Sequence, residues 1–238
     1  MANNKRIYSG KAKDIYETDQ AGVLLMVYKN QATAGNGAKK EEIAGKGVLN
    51  QAITNKIFTY LAQNGIPTHL IKDLGQGQEL VKQLTMFPLE VVCRNYAAGS
   101  LVKRLGVEKG SPIKGGMVEY FYKRDDLNDP FVNEANIYFL EAANPEQLKV
   151  INDLTLAVNQ LLIQLFHKAG LRLVDFKLEF GETADGEIVL ADEFSPDNAR
   201  LWDEKTLASF DKDIFRNDQG NIIPFYQEVL NRLVEVLG

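Results

Sequence analysis

The sequence predicts an α+β fold, with a strand-rich first part followed by a larger part that contains both strands and helices. Strand-like segments rich in branched and aromatic residues recur through the first 85 residues. Two longer segments carry apolar residues at three- and four-residue spacing, which indicates amphipathic helices. A chain of 238 residues can bury a substantial core, as one large domain or as two closely joined lobes.

The first part is expected to be mainly β structure around one helix. Strands are predicted in KRIYSGKAKDIYET and VLLMVYKN, and then at residues 67–72, 79–85 and 88–94. A helix is predicted for residues 49–64, with Gly65 at the C′ position that commonly ends helices. The segment LTMFP joins the last two strands and is a candidate hinge, so we place a lobe boundary between residues 1–85 and 86–238.

The second part contains the longest predicted helix. It begins after Asn144, which is suited to the N-cap, and has Pro145 at N1 and Gln147 at N3. It runs to Gly170 with a broad apolar face. Further elements are predicted as a short helix at residues 97–105, a strand in MVEYFYK, a hairpin after Gly170 and a closing helix at residues 225–237.

Composition narrows the classes of function. A net charge of −5 argues against nonspecific nucleic-acid binding. Because the sequence has neither an 18-residue apolar run nor a signal-peptide pattern, we expect a soluble, cytoplasmic protein without a membrane partner. The single cysteine excludes an internal disulfide, and two histidines give a zinc site or a Ser-His-Asp triad little to build on. The chemistry is therefore expected from Lys, Arg, Asp, Glu and backbone amides.

The predicted hairpin places two acids face to face. If Asp185-Gly186 forms a two-residue turn, Glu179 lies directly opposite Asp192. Facing carboxylates repel each other, so this arrangement is best tolerated when a cation such as Mg²⁺ lies between them. The same pairing places Glu193 on the apolar face of the hairpin, which neither this interpretation nor a plain salt-bridge ladder explains.

The first strand of the hairpin carries a second indication. Asp175, Lys177 and Glu179 alternate with apolar residues, so one face of the strand is charged. An amine about 7 Å of strand away from a candidate metal ligand suits a phosphoryl group held jointly by Lys and Mg²⁺. An ordinary amphipathic hairpin with a solvated salt-bridge ladder is the alternative.

Two other segments are candidate anion sites. The turn SGKAK carries Lys11 and Lys13 beside backbone amides that could cover a phosphate chain, although a surface lysine-rich turn is the commoner explanation. Arg94 ends a strand, and Ser100 lies near the start of the following short helix, where both could converge on an anion. The polar, glycine-rich TAGNGAKKEEIAGKG is too long for a simple connection and is a candidate functional loop.

Several of these segments together resemble the phosphoribosylaminoimidazole-succinocarboxamide synthase (SAICAR synthetase) family of purine biosynthesis, in its compact bacterial form. The similar segments are YSGKAKDIY, GIPTHLI, PLEVVCRNYAAGSLVKRLG, KRDDLNDP, LVDFKLEFG and LADEFSPDNARLWD. They occur in the order of the family and cover nearly the whole chain, and the combination of VDFKLEFG, DEFSPD and RLWD is specific.

The resemblance implies a fold and a reaction. The fold is a two-lobed one, with an N-terminal antiparallel β-rich lobe, a larger α/β lobe and an ATP cleft between them. The reaction is the ATP-dependent joining of L-aspartate to 5-amino-1-(5-phosphoribosyl)imidazole-4-carboxylate, with release of ADP and phosphate and with an acyl phosphate as the intermediate. ATP and Mg²⁺ are the implied cofactors, and a homodimer is the implied assembly.

The resemblance also assigns residues to roles. Implied for ATP are Lys11, Ala12, Lys13, Met86 and Lys123. Implied for the imidazole substrate are Arg94, Ser100, Asp129, Asp197 and Arg200. Implied for catalysis are Lys177 and Asp175, and for the metal Glu179 and Asp192. Many relatives have Asp in the glycine-rich loop where this chain has Asn36, so a role that needs a carboxylate there is doubtful.

Two other functions remain open from the residues alone. A small-molecule kinase of related architecture would use the same Lys and Mg²⁺ apparatus but would phosphorylate a hydroxyl and release no free phosphate. A noncatalytic nucleotide sensor would bind ATP without turnover.

Overall fold

The computed structural model describes residues 5–34 and 39–238. Its strands are β1 (Arg6–Ser9), β2 (Lys13–Glu17), β3 (Val23–Tyr28), β4 (Gln31–Ala34), β5 (Lys39–Glu42), β6 (Leu70–Gly75), β7 (Gln78–Lys82), β8 (Thr85–Met86), β9 (Leu89–Tyr96), β10 (Pro112–Tyr122), β11 (Phe131–Val132), β12 (Leu171–Glu182), β13 (Ile188–Ala191) and β14 (Ala199–Asp203). Its helices are α1 (Lys46–Gln63), α2 (Ser100–Leu105), α3 (Glu134–Phe139), α4 (Pro145–Lys168), α5 (Asp213–Arg216) and α6 (Ile223–Leu237), with a 3₁₀ turn at Asp125–Leu127.

The first sheet has five antiparallel strands in the order β1-β2-β3-β7-β6. The tight turn between β1 and β2 is closed by a hydrogen bond of 2.8 Å from the amide of Gly10 to the carbonyl of Lys13. The β6–β7 hairpin has Gln76 and Gly77 at its centre, with φ of 52° and 77°, as two-residue hairpin turns of one common type require. The predicted antiparallel β-rich N-terminal region is therefore present.

The glycine-rich stretch between β3 and α1 contains a two-stranded antiparallel sheet, β4 paired with β5. Asn36, which differs from the residue in many relatives, lies outside the described residues. α1 then packs against β6 and α6. Its buried face contributes Ile53, Ile57, Phe58 and Leu61 to the main hydrophobic core, so this helix of the first part lies in the core formed mostly by the second part.

The second sheet is built around β12, the longest strand. Its main path runs β11-β10-β9-β12-β13, and β8 and β14 also pair with β12. β9 lies along one side of β12 at residues 175–178. On the other side, β14 is the partner up to Phe176 and β13 is the partner from Glu179 onward. The partner strand therefore changes at Lys177, where the loop between β13 and β14 separates the two.

α4 covers this sheet and follows its prediction closely. The Asn144 side chain accepts a hydrogen bond of 2.8 Å from the amide of Gln147, and Gln147 returns one of 3.0 Å to the Asn144 amide, which completes a capping box. The apolar face of the helix packs on β12 and contributes Leu148, Ile151, Val158, Leu162, Leu165 and Phe166 to the main core. Among the described residues, no helix combines the length and apolar character needed to cross a membrane.

The predicted α+β class is confirmed, and the deviations from the predicted elements have local causes. The predicted strand at residues 67–72 begins only at Leu70, because the preceding residues bond to β13: the amide of His69 donates to the carbonyl of Leu190 at 2.8 Å. The predicted helix at residues 97–105 begins at Ser100, because Gly99 has a positive φ of 55°. The lobe boundary between residues 85 and 86 stays a prediction.

Candidate active site

The charged face of β12 is the centre of the candidate site. Asp175, Lys177 and Glu179 alternate along the strand, as its period of two predicts. The three intervening side chains are buried in the main core: Phe176, Leu178 and Phe180. One strand thus carries charged groups of the site and anchors them in the core.

The predicted pairing of Glu179 with Asp192 is wrong by one residue, since Glu179 lies opposite Ala191. The hairpin closes through a three-residue loop, in which the amide of Thr183 donates to the carbonyl of Glu187 at 2.9 Å. The last loop residue is a glycine with φ of 83°. Such a loop shifts the register by one residue relative to a two-residue turn. Asp192 therefore lies just beyond the end of β13 rather than within the ladder.

Lys177 lies between the two carboxylates that were predicted to face each other. Its Nζ donates to Glu179 Oε1 at 2.5 Å and to Asp192 Oδ2 at 2.9 Å, and it lies 3.8 Å from Glu90 Oε1. Burial opposes the charge on Lys177, but these carboxylates outweigh burial and hold its pKa well above the usual value. The positive group expected between the two acids is, within the described residues, this ammonium.

Lys13 reaches from the first sheet to the same carboxylate. Its Nζ hydrogen-bonds Asp192 and lies 3.5 Å from Glu193 Oε1. Burial raises the pKa of Asp192, but the ammonium groups of Lys13 and Lys177 outweigh that effect and hold this pKa well below its usual value. The φ of 63° at Asp192 is in the left-handed region, which Asp tolerates better than most residues. The two sheets thus meet at a buried ion pair.

The turn between β1 and β2 brings Lys11 and Ala12 to the edge of this region. Lys11 is about half exposed and donates to Asp125 Oδ1 at 2.7 Å. The carbonyl of Ala12 accepts a hydrogen bond of 2.8 Å from the amide of Lys29, and the Lys29 ammonium donates to the carbonyl of Gly10 at 2.9 Å. The turn is therefore fixed by Lys29, while the Lys11 side chain reaches toward the segment after β10.

Lys123 and Met86 complete the group predicted for ATP. Lys123 hydrogen-bonds Glu179 from the end of β10. Met86 lies in β8, which pairs with β12 opposite Gly181, and its side chain is exposed. We call the following residues the lysine cluster: Lys13, Lys123, Lys177, Glu179 and Asp192.

Arg94 forms the centre of a second cluster around Asp175. Its guanidinium donates to Asp175 Oδ2 at 2.8 Å, to Glu119 Oε2 at 2.6 Å and to Ser100 Oγ at 3.2 Å. The side chain is almost fully buried. Asp175 and Glu119 fix the plane of the guanidinium, because Arg presents its donors in a rigid fork.

Arg200 approaches Asp175 from β14. Its Nη1 donates to Asp175 Oδ2 at 2.9 Å, and its Nε donates to Asp213 Oδ2 at 2.9 Å. A Cβ atom at Gly99 would lie 2.6 Å from this guanidinium, so the close approach requires glycine. We call the following residues the arginine cluster: Arg94, Ser100, Glu119, Asp175, Arg200 and Asp213.

Two residues predicted for the imidazole substrate lie apart from the arginine cluster in their contacts. Asp129 Oδ1 accepts a hydrogen bond of 2.8 Å from the amide of Arg124. Asp197 is buried, where it pairs with Lys46 at 2.5 Å and accepts a hydrogen bond of 2.7 Å from the Tyr226 hydroxyl. These contacts account for the burial of Asp197, and a direct substrate contact stays a prediction for both residues.

Sequence analysis missed the acidic partners of the clusters. Glu119 and Asp213 accept from the arginines, and Glu90 and Glu193 lie beside the lysines. Only Glu193 gave a signal, through its unexplained position on the apolar face. Because β13 ends at Ala191, the following residues leave the ladder and Glu193 turns toward the lysine. The others come from elements that only the fold brings together.

The carboxylates of the lysine cluster fit a magnesium ion only in company with a phosphate. Within residues 5–34 and 39–238, no group of three or more His, Cys, Asp or Glu side chains is arranged to hold a metal. Glu179 and Asp192 supply two carboxylates beside three lysines. Mg²⁺ typically takes one or two protein carboxylates and completes its shell with phosphate oxygens and water.

Histidine chemistry does not reach the site. His69 is buried against Phe58, with ring centroids 5.6 Å apart, and burial lowers the pKa of His69 to about 3. It is therefore neutral near pH 7. A fold with adjacent lysine and arginine clusters, two carboxylates and no ionised histidine defines a class of enzyme that acts on phosphorylated anions through positioning and charge neutralisation.

Comparisons with known proteins identify the family within that class. The SAICAR synthetase family model matches residues 6–233. A protein named phosphoribosylaminoimidazole-succinocarboxamide synthase from Listeria welshimeri is 49% identical over 233 residues, which cover 98% of each chain. The crystal structure of the enzyme of that name from Ehrlichia chaffeensis superimposes with a TM-score of 0.94 and 41% identity, and covers 96% of this chain and 98% of its own. A SAICAR synthetase solved in complex with ADP gives a TM-score of 0.92 and 44% identity, with 95% and 96% covered.

The chain belongs to the SAICAR synthetase family. This confirms the family, the fold and the enzyme class that the sequence resemblance implied, an ATP-dependent ligase of purine biosynthesis.

Proposed function

We propose that this chain joins L-aspartate to the carboxylate of 5-amino-1-(5-phosphoribosyl)imidazole-4-carboxylate at the expense of ATP. The observation that carries the proposal is the order of charged groups along β12. Asp175 holds two arginines, and Lys177 and Glu179 follow on the same face of the strand. Alternate strand residues are about 7 Å apart, so an anionic substrate held at the arginines lies within reach of a phosphoryl group at the lysines.

The chemical problem is that a carboxylate is a poor electrophile toward an amine. In the proposed sequence, a carboxylate oxygen of the imidazole substrate attacks the γ-phosphorus of ATP, the bond to the β–γ bridging oxygen breaks, and ADP leaves. The aspartate amine then attacks the carbonyl carbon of the acyl phosphate, loses a proton and expels phosphate. One ATP therefore yields one amide, one ADP and one phosphate.

The residues of the lysine cluster are proposed to hold the nucleotide. Lys11, Ala12 and Lys13 cover its phosphates from the β1–β2 turn, supported by the fixed backbone of that turn. Lys177 neutralises charge on the transferred phosphoryl group, because its ammonium already lies among three carboxylates on the charged face of β12. Lys123 contributes from β10, and Met86 lies near the adenine at the exposed segment between the sheets.

The arginine cluster is proposed to hold the phosphoribosyl-imidazole substrate. Arg94 and Arg200 supply planar groups suited to phosphate, and Ser100 supplies a hydroxyl. Asp175 positions both arginines, with Asp129 and Asp197 proposed at the edge of the same pocket.

Glu179 and Asp192 are proposed to hold Mg²⁺ together with the ATP phosphates. A bound Mg²⁺ ion would neutralise charge on the phosphate oxygens during transfer. Support comes from the two carboxylates at the lysine cluster and from the preference of Mg²⁺ for few protein ligands when phosphate is present.

We also infer a cytoplasmic homodimer that acts on small molecules and has no nucleic-acid partner. The inference rests on the family and on the net charge of −5. Light scattering after size exclusion tests the assembly, with twice the chain mass as the expected result and the single-chain mass as the contradictory one.

Measuring phosphate release while each substrate is omitted in turn tests the proposed reaction. We expect phosphate only when ATP, the imidazole carboxylate and L-aspartate are all present. A kinase would instead give a stable phosphorylated product without free phosphate, and a sensor would bind ATP without turnover. Sustained phosphate release without an amine acceptor would overturn the proposal.

A further inference from the structure

Three polar residues form a buried row across the first sheet, away from the charged face of β12. Lys13 on β2 lies directly opposite Tyr28 on β3. Glu79 on β7 lies opposite Met26, which is two residues from Tyr28 and so shares its face of the sheet. The register of three neighbouring strands therefore places Lys13, Tyr28 and Glu79 side by side.

Specific contacts join the members of this row. The Tyr28 hydroxyl donates to Glu79 Oε1 at 3.0 Å, and Asn55 Nδ2 on α1 donates to Glu79 Oε2 at 2.7 Å. The Lys13 ammonium lies 5.3 Å from the centroid of the Tyr28 ring, which is within the range of a cation–π contact. The carboxyl group of Glu79 thus fixes the hydroxyl end of a ring whose face supports Lys13.

Packing alone does not account for an acid at this position. Glu79 has no exposed surface, and within the described part of the chain no Lys, Arg or His forms an ion pair with it. Burying a carboxyl group costs stability unless its hydrogen bonds and its charge are satisfied. Burial raises the pKa of Glu79 to about 7, because the neutral form is favoured there.

We propose that Glu79 is a positioning residue for Lys13, which it orients through Tyr28. This inference rests on the proposed function, in which Lys13 contacts the ATP phosphates. A lysine side chain has four rotatable bonds, so holding its ammonium at one place costs conformational entropy. With Tyr28 anchored by Glu79 and Asn55, the ring is already in place, and nucleotide binding does not have to order it.

A double-mutant cycle in nucleotide affinity tests this positioning role. The probe is ADP with Mg²⁺, titrated by calorimetry into the wild-type chain, Glu79→Ala, Lys13→Met and the double variant. We expect Glu79→Ala to weaken ADP binding about tenfold, a size typical of the coupling between residues in one network. Lys13→Met should weaken binding at least as much, and the double variant should bind no more weakly than Lys13→Met alone.

Two further variants separate positioning from general stability. Glu79→Gln keeps an acceptor for the Tyr28 hydroxyl, so it should bind ADP within about threefold of the wild type. Thr155→Val removes a buried hydrogen bond of 2.7 Å to the carbonyl of Ile151 on α4, remote from this row. It should lower the melting temperature without changing ADP affinity. If Glu79→Ala does not fold, Tyr28→Phe replaces it, since it keeps the ring and removes only the bond to Glu79.

Each remaining result decides between the two proposals. An equal effect of Glu79→Ala in both the wild-type and Lys13→Met backgrounds, or no effect in either, would overturn the positioning role and leave the proposed function intact. Unchanged ADP affinity in Lys13→Met would overturn the proposed contact of Lys13 with the nucleotide, and the positioning role with it.

Discussion

The lysine cluster and the arginine cluster share one face of β12 but differ in how the fold holds them. Around Asp175, β12 is paired on both sides, by β9 and by β14. At Lys177 the partner on one side changes from β14 to β13, and the intervening loop carries Asp192 in a left-handed conformation. The arginines therefore lie in a continuous sheet, and the lysines lie where the sheet divides.

This difference matches the chemistry proposed for each cluster. Arginine is a planar fork that binds an anion in a fixed orientation, whereas lysine is a compact charge on a flexible stem. A continuous sheet suits the anchoring of one substrate. A divided sheet, with lysines from two sheets converging on Asp192, suits a phosphoryl group that changes its bonding partner. One cluster thus binds and the other transfers.

Removing Lys177 should give the largest effect and should act on turnover. Lys177→Met keeps the length of the side chain and deletes the ammonium between Glu179 and Asp192. We expect kcat to fall about 100- to 1000-fold, as when one donor to developing charge is removed. Steady-state phosphate release measures it. Lys82→Met, at a half-exposed lysine 3.7 Å from Glu187, is the control and should retain normal turnover.

Removing either carboxylate of the lysine cluster should give the next largest effect. Glu179→Ala and Asp192→Ala should each lower Mg²⁺-dependent turnover by about 100-fold while the chain stays folded, because metal-held phosphates lose a ligand. Circular dichroism checks the fold, and Mg²⁺ titrations check the activity. Near-normal turnover in both variants would mean that the hairpin is a plain salt-bridge ladder. Glu187→Ala, in the same hairpin, is the matched control.

A change in the arginine cluster should act on substrate affinity instead. Arg94→Lys keeps a charge near Asp175 and Glu119 but loses the fork that bonds both. We expect KM for the imidazole carboxylate to rise about 10- to 100-fold, with KM for ATP changed less than about threefold. Initial rates at varied concentrations of each substrate measure both. Arg172→Lys, on the same strand but paired with Glu204, should change neither.

Glu79→Gln should have the smallest effect on turnover and a distinct effect on stability. Glu79 faces Tyr28, Asn55, Lys13 and Glu193, and burial raises its pKa from an ordinary 4.5 to about 7. The folded chain therefore binds more protons than the unfolded chain between these values, and stability falls as pH rises through them. Relative to Glu79→Gln, the wild type should lose roughly 3 kcal/mol of unfolding free energy between pH 4.5 and 8. Urea unfolding of both proteins at pH 5 and pH 8 measures the difference, and an unchanged difference would contradict it.

The sequence predicted those parts of the fold that depend on local signals. The capping box before α4, the glycine after α1 and the alternation along β12 are each set by residues close together in the chain. The hairpin register was wrong because a two-residue and a three-residue loop fit the same Asp185-Gly186 sequence, and the choice moves every pair by one.

The site was predictable only where a family motif marked it. Lys177, Glu179 and Asp192 stand in such motifs, and the fold brings them together. The partners Glu119 and Asp213 come from β10 and α5, far from the arginines in sequence. Pairing across such distances depends on the packed structure, so spacing along the chain carries no signal for it.

The division of work between the two clusters is tested most directly by measuring both KM values in one variant of each. Lys13→Met removes an ammonium of the lysine cluster, and Arg200→Lys removes a guanidinium of the arginine cluster. We predict that Lys13→Met raises KM for ATP at least about tenfold with little change for the imidazole carboxylate, and that Arg200→Lys does the reverse. Equal increases of both KM values in both variants would contradict it.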